Sequence, residues 1–535
     1  MITRLGLVTL ILVLFGQVPL QTANAASADN PPAGRIFRMR LTFEPVSLDW
    51  NLGDIPIVLI QNAMRGLYKI DEDGSVSADL VKDAKVSSDG KTWTFELQPG
   101  VLWSDSMPLK AEHVVAGLTR LLDPLTASTY AYFLFDIQGA REFNQRRPSE
   151  LGIKVLSDTK FEIRLNHPVP YMKALLTHWV TYPVRPDILK RGNSIWAKPS
   201  QIPTLGSYKF QDWQNEMRIV LVANPLAGTP QQAPKPWFDR IEAWIIPDDN
   251  TALNLFNSGH FELVTEPGQA AAKRSDVIVK DSPITYFIGV GPGHPITSHQ
   301  KGILALSAAL NRTEIPKVLG VAHRPALEFC PPEVWKMMGA GAMSGDFPRQ
   351  PVPVTGSKEQ AKKLLAEAGI TDLSDKKKFP PLTLRYYNRT QIKTLAEWIQ
   401  AQWKTNLGIE VELVGMDPKS FFYSMLQNPP TVFINSKGTS FPDAATFYSL
   451  FSEPNMQNLG RWEDKEYSKH VQVGDTASTS ADRVAAYAKA NQILLDTHPA
   501  LIPLYFRSTE YLIRKYVKDL KFNALSGVDL VSAHY

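Results

Sequence analysis

Apolar residues recur with a period near two in some stretches of the chain and near 3.6 in others, which separates strands from helices. Residues 36–43 (IFRMRLTF) alternate and predict a strand, with a turn at 45–51 and a helix from 58 that stops at Gly66. Asp71-Glu72-Asp73-Gly74 is a turn. A hairpin follows, with strands at 84–87 and 91–97 around Asp89-Gly90, because glycine takes the positive φ that so tight a turn demands. Its period of two puts Trp93, Phe95 and Leu97 on one inward face. A second hairpin turns at Asp158-Thr159 between 154–155 and 161–165. Residues 219–222 and 241–245 read as strands, and 110–122, 301–310 and 357–369 as helices. The last of these has Ser357 as cap, Gln360 three residues on and Gly369 as stop. Strand 382–387, helix 391–407 and strand 409–414 form a βαβ unit. Helix 481–498 and an apolar strand at 500–506 complete the pattern: mixed α/β, hairpins early and βαβ late.

Composition narrows the class. At 535 residues, 44% hydrophobic and 21% charged, the chain is long enough for about three to four domain-sized units. Disordered, collagen-like and multi-span membrane classes are excluded. The net charge of +4 is spread without long like-charged runs, which argues against a nucleic-acid partner. Cys330 is the one cysteine, so neither an internal disulfide nor a cysteine zinc site is available. Residues 1–25 predict a cleavable export signal. Arg4 precedes an apolar run at 5–15, too short to span a bilayer, and Ala23-Asn24-Ala25 fits the small-x-small cleavage rule. With no cysteine near that point, no lipid anchor is expected, and the mature chain should be extracytoplasmic and without a membrane anchor.

Catalytic and cofactor signatures are missing. There is no G-x-S-x-G, P-loop or H-E-x-x-H. The stretch 289–295 (GVGPGHP) lacks the third glycine of a phosphate loop, and Pro292 would remove an amide donor. His294 and His299 do not share a helix face, and Asp248-Asp249 beside Pro247 reads as a solvated turn. No catalytic residue, cofactor or metal is expected.

Several motifs in fixed order carry a resemblance: SLDW at 47–50, the block 65–115 (RGLYKIDEDG…AEHVV), 121–134 (LLDPLTASTYAYFL), HPVPYM, FNSGHFELV at 256–264, AKKLLAEAG, FPDAATFYSLF and HPALIPLY. In these the chain resembles the periplasmic solute-binding proteins of peptide ABC transporters (family 5), with the oligopeptide-binding members nearest. The resemblance implies a two-lobed α/β periplasmic-binding-protein fold (type II, three-domain cluster C), with a cleft between the lobes and a two-strand hinge. It places a first lobe core at 26–55, 188–285 and 505–535, an accessory subdomain at 56–187 and a second lobe at 286–504. Hinge crossings fall at Tyr286 and Phe287 and at Leu504 and Tyr505. It further implies a monomer that captures oligopeptides or peptide-like solutes and delivers them to an inner-membrane ABC permease.

For the ligand, the resemblance points to Tyr130 and to 435–443 (NSKGTSFPD), with Gly438, Thr439 and Ser440 against the peptide main chain. The family has an aspartate for the peptide ammonium at the Ser440 position. Asp443 either takes over that charge or caps the helix after it. Because Ser440 is uncharged, the same fold serving a non-peptide solute (oligosaccharide, murein fragment, opine-like compound), or a sensory receptor, stays open as an alternative.

Overall fold

The alternating runs meet in one mixed sheet of eleven strands. This is a computed structural model that describes residues 30–53, 55–271, 274–339, 348–452 and 458–535; the export signal expected at 1–25 lies outside the described residues. One half of the sheet runs Tyr208–Gln214, Arg218–Ala223, Arg240–Ile245, Ile36–Leu41 and Leu263–Thr265, in that order. The other half runs Val432–Gly438, Leu382–Tyr387 and Val411–Met416. Two long antiparallel strands, Val277–Val290 and Leu501–Ile513, lie between the halves and pair with each other. Leu263–Thr265 joins the 511–513 end of one, and Val432–Gly438 joins the 284–290 end of the other. Both long strands therefore begin in one half and finish in the second.

Their pairing is interrupted. Asp281 faces Ser508 and Thr285 faces Phe506, so residues 282–284 lack partners on that side. Pro283 has no N–H to give a ladder, which is why the break falls there. On one side of the break the Ser282 hydroxyl is bonded to Thr509 Oγ1 at 2.7 Å. On the other, the Pro283 carbonyl accepts the Thr439 N–H at 3.0 Å. A second irregularity follows between Tyr286 and Phe287.

The expected βαβ unit is present. Leu382–Tyr387 and Val411–Met416 pair in parallel, and the helix between them, Thr390–Leu407, buries Ile392, Leu395, Ile399 and Trp403. The two hairpins combine into a separate four-stranded antiparallel sheet. In it Trp93, Phe95 and Leu97 are buried, and Phe95 stacks on Phe161 with ring centroids 4.9 Å apart.

Four expectations are corrected. The first helix is Ile57–Ala63 rather than reaching Gly66; the backbone turns extended at Met64 and so buries Met64 and Leu67 in the core. The last strand does not stop at 506. It continues through Arg507 to Ile513 because Ser508, Thr509 and Glu510 are buried while paired to the other long strand. The late helix ends at Gln492 and passes into a π-helical turn, Ile493–Thr497. Asp248 and Asp249 are exposed as expected but open a helix and not a turn: Asp248 caps the helix Asp249–Asn257 by accepting the Thr251 N–H at 2.7 Å, and Asp249 is ion-paired at 2.7 Å to the buried Arg40.

Candidate functional site

The strand Val432–Gly438 delivers the segment 439–443 to the junction of the two halves. There Phe441, from the second half, lies between aromatic rings of the first. It stacks on Tyr171 (centroids 5.7 Å, planes 8° apart) and meets Phe133 edge-on at 5.5 Å. The Arg483 guanidinium sits 5.2 Å over the same Tyr171 ring. Tyr171 and Phe441 are buried, and Phe441 with the helix Ala445–Ser452 belongs to one continuous apolar cluster with the core of the first half. The halves are thus closed on each other here.

Beside this contact is a cavity of about 760 Å³. Its wall comes almost wholly from the first half, including Gln61, Arg65, His178, Trp179 and Asn523, and Ser440 is the contribution of the second half. The lining is mixed polar and apolar, which suits an amphipathic solute held with intervening water.

The expected ligand residues fall as follows. Ser440 is half-buried and its N–H donates to Thr446 Oγ1 at 3.2 Å. Thr439 donates both its N–H and its hydroxyl to the Pro283 carbonyl, at 3.0 and 2.8 Å, so the loop is tied to the long strand at its break. Gly438 pairs with Ile284. Tyr130 stands across the junction, its ring 5.3 Å from His178 and 5.4 Å from Phe133. It occupies the space beside Gly53, where a Cβ would run into the ring. Asp443 is 4% exposed and makes a two-pronged ion pair with Arg483 at 2.7 and 2.6 Å. One of its oxygens also accepts the Ala445 N–H at 2.9 Å at the start of helix Ala445–Ser452. Its charge is used within the protein.

The residues expected at the hinge sit in the two long strands. Tyr286 stacks on Tyr505 at 4.8 Å, and His323 covers the other face of Tyr505 at 4.5 Å. Phe287 meets Phe329 edge-on at 5.5 Å. Leu504 is fully buried, and its carbonyl accepts the Ala326 N–H at 3.0 Å. The break at 282–284 lies a few residues from these positions, toward the first half.

Sequence reasoning did not single out His178 or Lys437. Burial, and secondarily the Lys437 charge, drives the His178 imidazole down to about 3, so the ring is neutral. Burial alone lowers the Lys437 ammonium to about 8. The available signal was a lone lysine in an otherwise uncharged strand, VFINSKG. Nearby, burial raises the Asp475 carboxyl to about 7 although the Tyr487 hydroxyl donates to it at 2.6 Å. Among the described residues no cluster of three or more His, Cys, Asp or Glu side chains could hold a metal, and no helix is long and apolar enough to cross a membrane.

Comparison with known proteins adds to this geometry. Residues 75–458 match the model for bacterial extracellular solute-binding proteins, family 5. The periplasmic oligopeptide-binding protein OppA of Escherichia coli (strain K12) is 29% identical over 524 residues, covering 93% of each chain. The probable deoxycholate-binding periplasmic protein YgiS of the same strain is 24% identical over 94% of each chain. Among solved structures, the Escherichia coli murein tripeptide binding protein MppA superposes with a TM-score of 0.79 at 24% identity, over 94% of this chain and 99% of that one. Haemophilus influenzae OppA in complex with RPPGFSPFR also gives 0.79, at 23% identity and the same coverage. The two-lobed periplasmic-binding-protein fold is the fold these structures share with this chain.

Proposed function

The chain belongs to the bacterial extracellular solute-binding proteins of family 5, and from that premise we propose that it captures oligopeptides or peptide-like solutes by closing its two lobes and presents them to an ABC permease. The observation that carries this reading is the junction. Among the described residues two strands cross the sheet between the halves, and Ser440 of one half completes a cavity built by the other. A solute that touches both halves binds the closed form better than the open one, and that difference in affinity drives closure. The protein carries no chemical step in this reading.

The ligand would lie against Gly438, Thr439 and Ser440, with Tyr130 opposite. The lobes would be the core at 26–55, 188–285 and 505–535 with its accessory part at 56–187, and the second lobe at 286–504. The bend would centre on 282–284, flanked by Tyr286, Phe287, Leu504 and Tyr505. The mature protein would begin after residue 25, in the periplasm.

One observation favours a non-peptide solute as the second reading: the segment 439–443 offers no free carboxylate to a peptide ammonium, since Ser440 is uncharged and Asp443 is held by Arg483, and the acids that line the cavity, Asp73 and Asp529 among them, come from the first half. Trp335, Trp398 and Trp403 are buried and offer a sugar no face, whereas the half-buried Trp179 lines the cavity. The test is thermal unfolding of the purified mature protein with short peptides and with oligosaccharides. A ligand at a hundredfold excess over Kd adds about 2.7 kcal/mol of stability. Peptides should raise Tm and contract the solution scattering radius; a response to oligosaccharides alone would replace peptides with sugars as the solute.

A further inference from the structure

The segment that enters the junction carries one ammonium, that of Lys437. The residue is 8% exposed and its backbone is paired with Thr285, yet no hydrogen bond or ion pair of its ammonium exists among the described residues. The titratable group that feels its charge is His178 of the other half. That ring is neutral, and its Nδ1 already accepts the Val180 N–H at 3.3 Å. Asp443, six residues further on in the chain, is committed to Arg483. The closed protein therefore holds a nine-tenths-buried lysine between its lobes with no counter-charge on its ammonium. Removing an ammonium from water without a counter-charge is costly, whereas the same ammonium paired with an anion is not. Lysine is the residue that can bear this, because its flexible stem lets the head move toward an incoming group.

Resting on the peptide-binding reading above, we infer that Lys437 is a specificity-determining residue that selects ligands bearing an anionic group at the Gly438–Ser440 end of the site. Lys437 does not line the cavity in its present form; parting of the lobes uncovers it, and closure on an anion pairs it. Closure on a neutral or cationic end leaves it buried and unpaired. The discrimination thus arises in the closed state, where the charges are desolvated, and not in the first encounter. A free peptide ammonium at this end is the worst match, since it would meet a like charge while Asp443 is held by Arg483.

The experiment uses one tripeptide in three forms, with a free ammonium, N-acetylated and N-succinylated, the last placing a carboxylate where the ammonium was. Isothermal titration of the mature protein should show the succinyl form binding about tenfold more tightly than the acetyl form, the fold-change expected of one charge-assisted hydrogen bond. Lys437→Met should bring the two level, and Lys437→Gln serves the same purpose if the first variant does not fold. Tightest binding by the free-ammonium form, or a succinyl preference that survives loss of the lysine, overturns the inference. If none of the three binds, the peptide reading falls, and the role of Lys437 is judged on deoxycholate against its uncharged methyl ester. A preference for the acid that disappears in Lys437→Met upholds it; no such preference overturns it as well.

Discussion

Asp443 and Arg483 bind each other through two short contacts, in a site where both are almost wholly buried. Two rings, Tyr171 and Tyr487, flank the guanidinium at 5.2 and 5.7 Å. The pairing raises the pull of Arg483 on its proton despite the burial that opposes it. Breaking one partner of such a pair strands a buried charge, so Asp443→Asn should cost about 3–5 kcal/mol in urea unfolding. The same variant, where it stays folded, should leave the ranking of the three peptide forms unaltered, because this carboxylate already serves a neighbouring side chain. A changed ranking would return Asp443 to the ligand. The sequence left these two uses open. Position 443 is legible as a helix-start acid, whereas Arg483 lies forty residues downstream and nothing local announces that it comes back.

Helices Lys465–Thr476 and Ser480–Gln492 pack against each other behind that pair. Asp475, near the end of the first, is buried beside the Tyr487 hydroxyl of the second, and its carboxyl is raised to about 7 by burial. The folded pKa thus lies above the unfolded value near 4, so the folded state holds a proton that the unfolded chain has released. Stability from this group is complete below about pH 4 and is lost as pH rises through 7. Asp475→Asn should equal the wild type at about pH 4, and its advantage should grow between pH 4 and 7 to about 2–4 kcal/mol at pH 8; a constant difference across that range would rule out the titration. Elements of this kind were readable where periodicity was strong. The Ser357 cap does accept the Gln360 N–H, at 3.2 Å, and the βαβ unit follows its apolar spacing. Periodicity failed where burial is earned by pairing. The polar run 507–510 looks like a strand's end, yet it continues as ladder because the facing strand supplies its partners. The short strand Leu263–Thr265 gave too few positions for any period to show.

For the molecule entire, the balance between open and closed forms rests on few contacts. Phe441 meets Tyr171 and Phe133 across the junction, and burying an aromatic side chain of this sort is worth about 3–5 kcal/mol against alanine. Phe441→Ala should therefore shift the population toward the open form. Scattering should report a larger radius without ligand, and Kd for any ligand should rise because closure must now be driven by ligand alone. An unchanged radius together with unchanged affinity would mean that the aromatic contact does not hold the lobes. The sheet break at Ser282-Pro283 sets the other side of that balance. Each half grips its own side of the peptide bond, Thr509 holding the serine hydroxyl and Thr439 the proline carbonyl. On the hinge proposed above, rotation between the two would be absorbed by dihedrals at 282–284 that no rung to the strand Leu501–Ile513 constrains, so the swing would forfeit no bond of that ladder. Amide protons on either side of the proline should then keep slow exchange through opening, and the turnover of cargo need not loosen the scaffold that carries it.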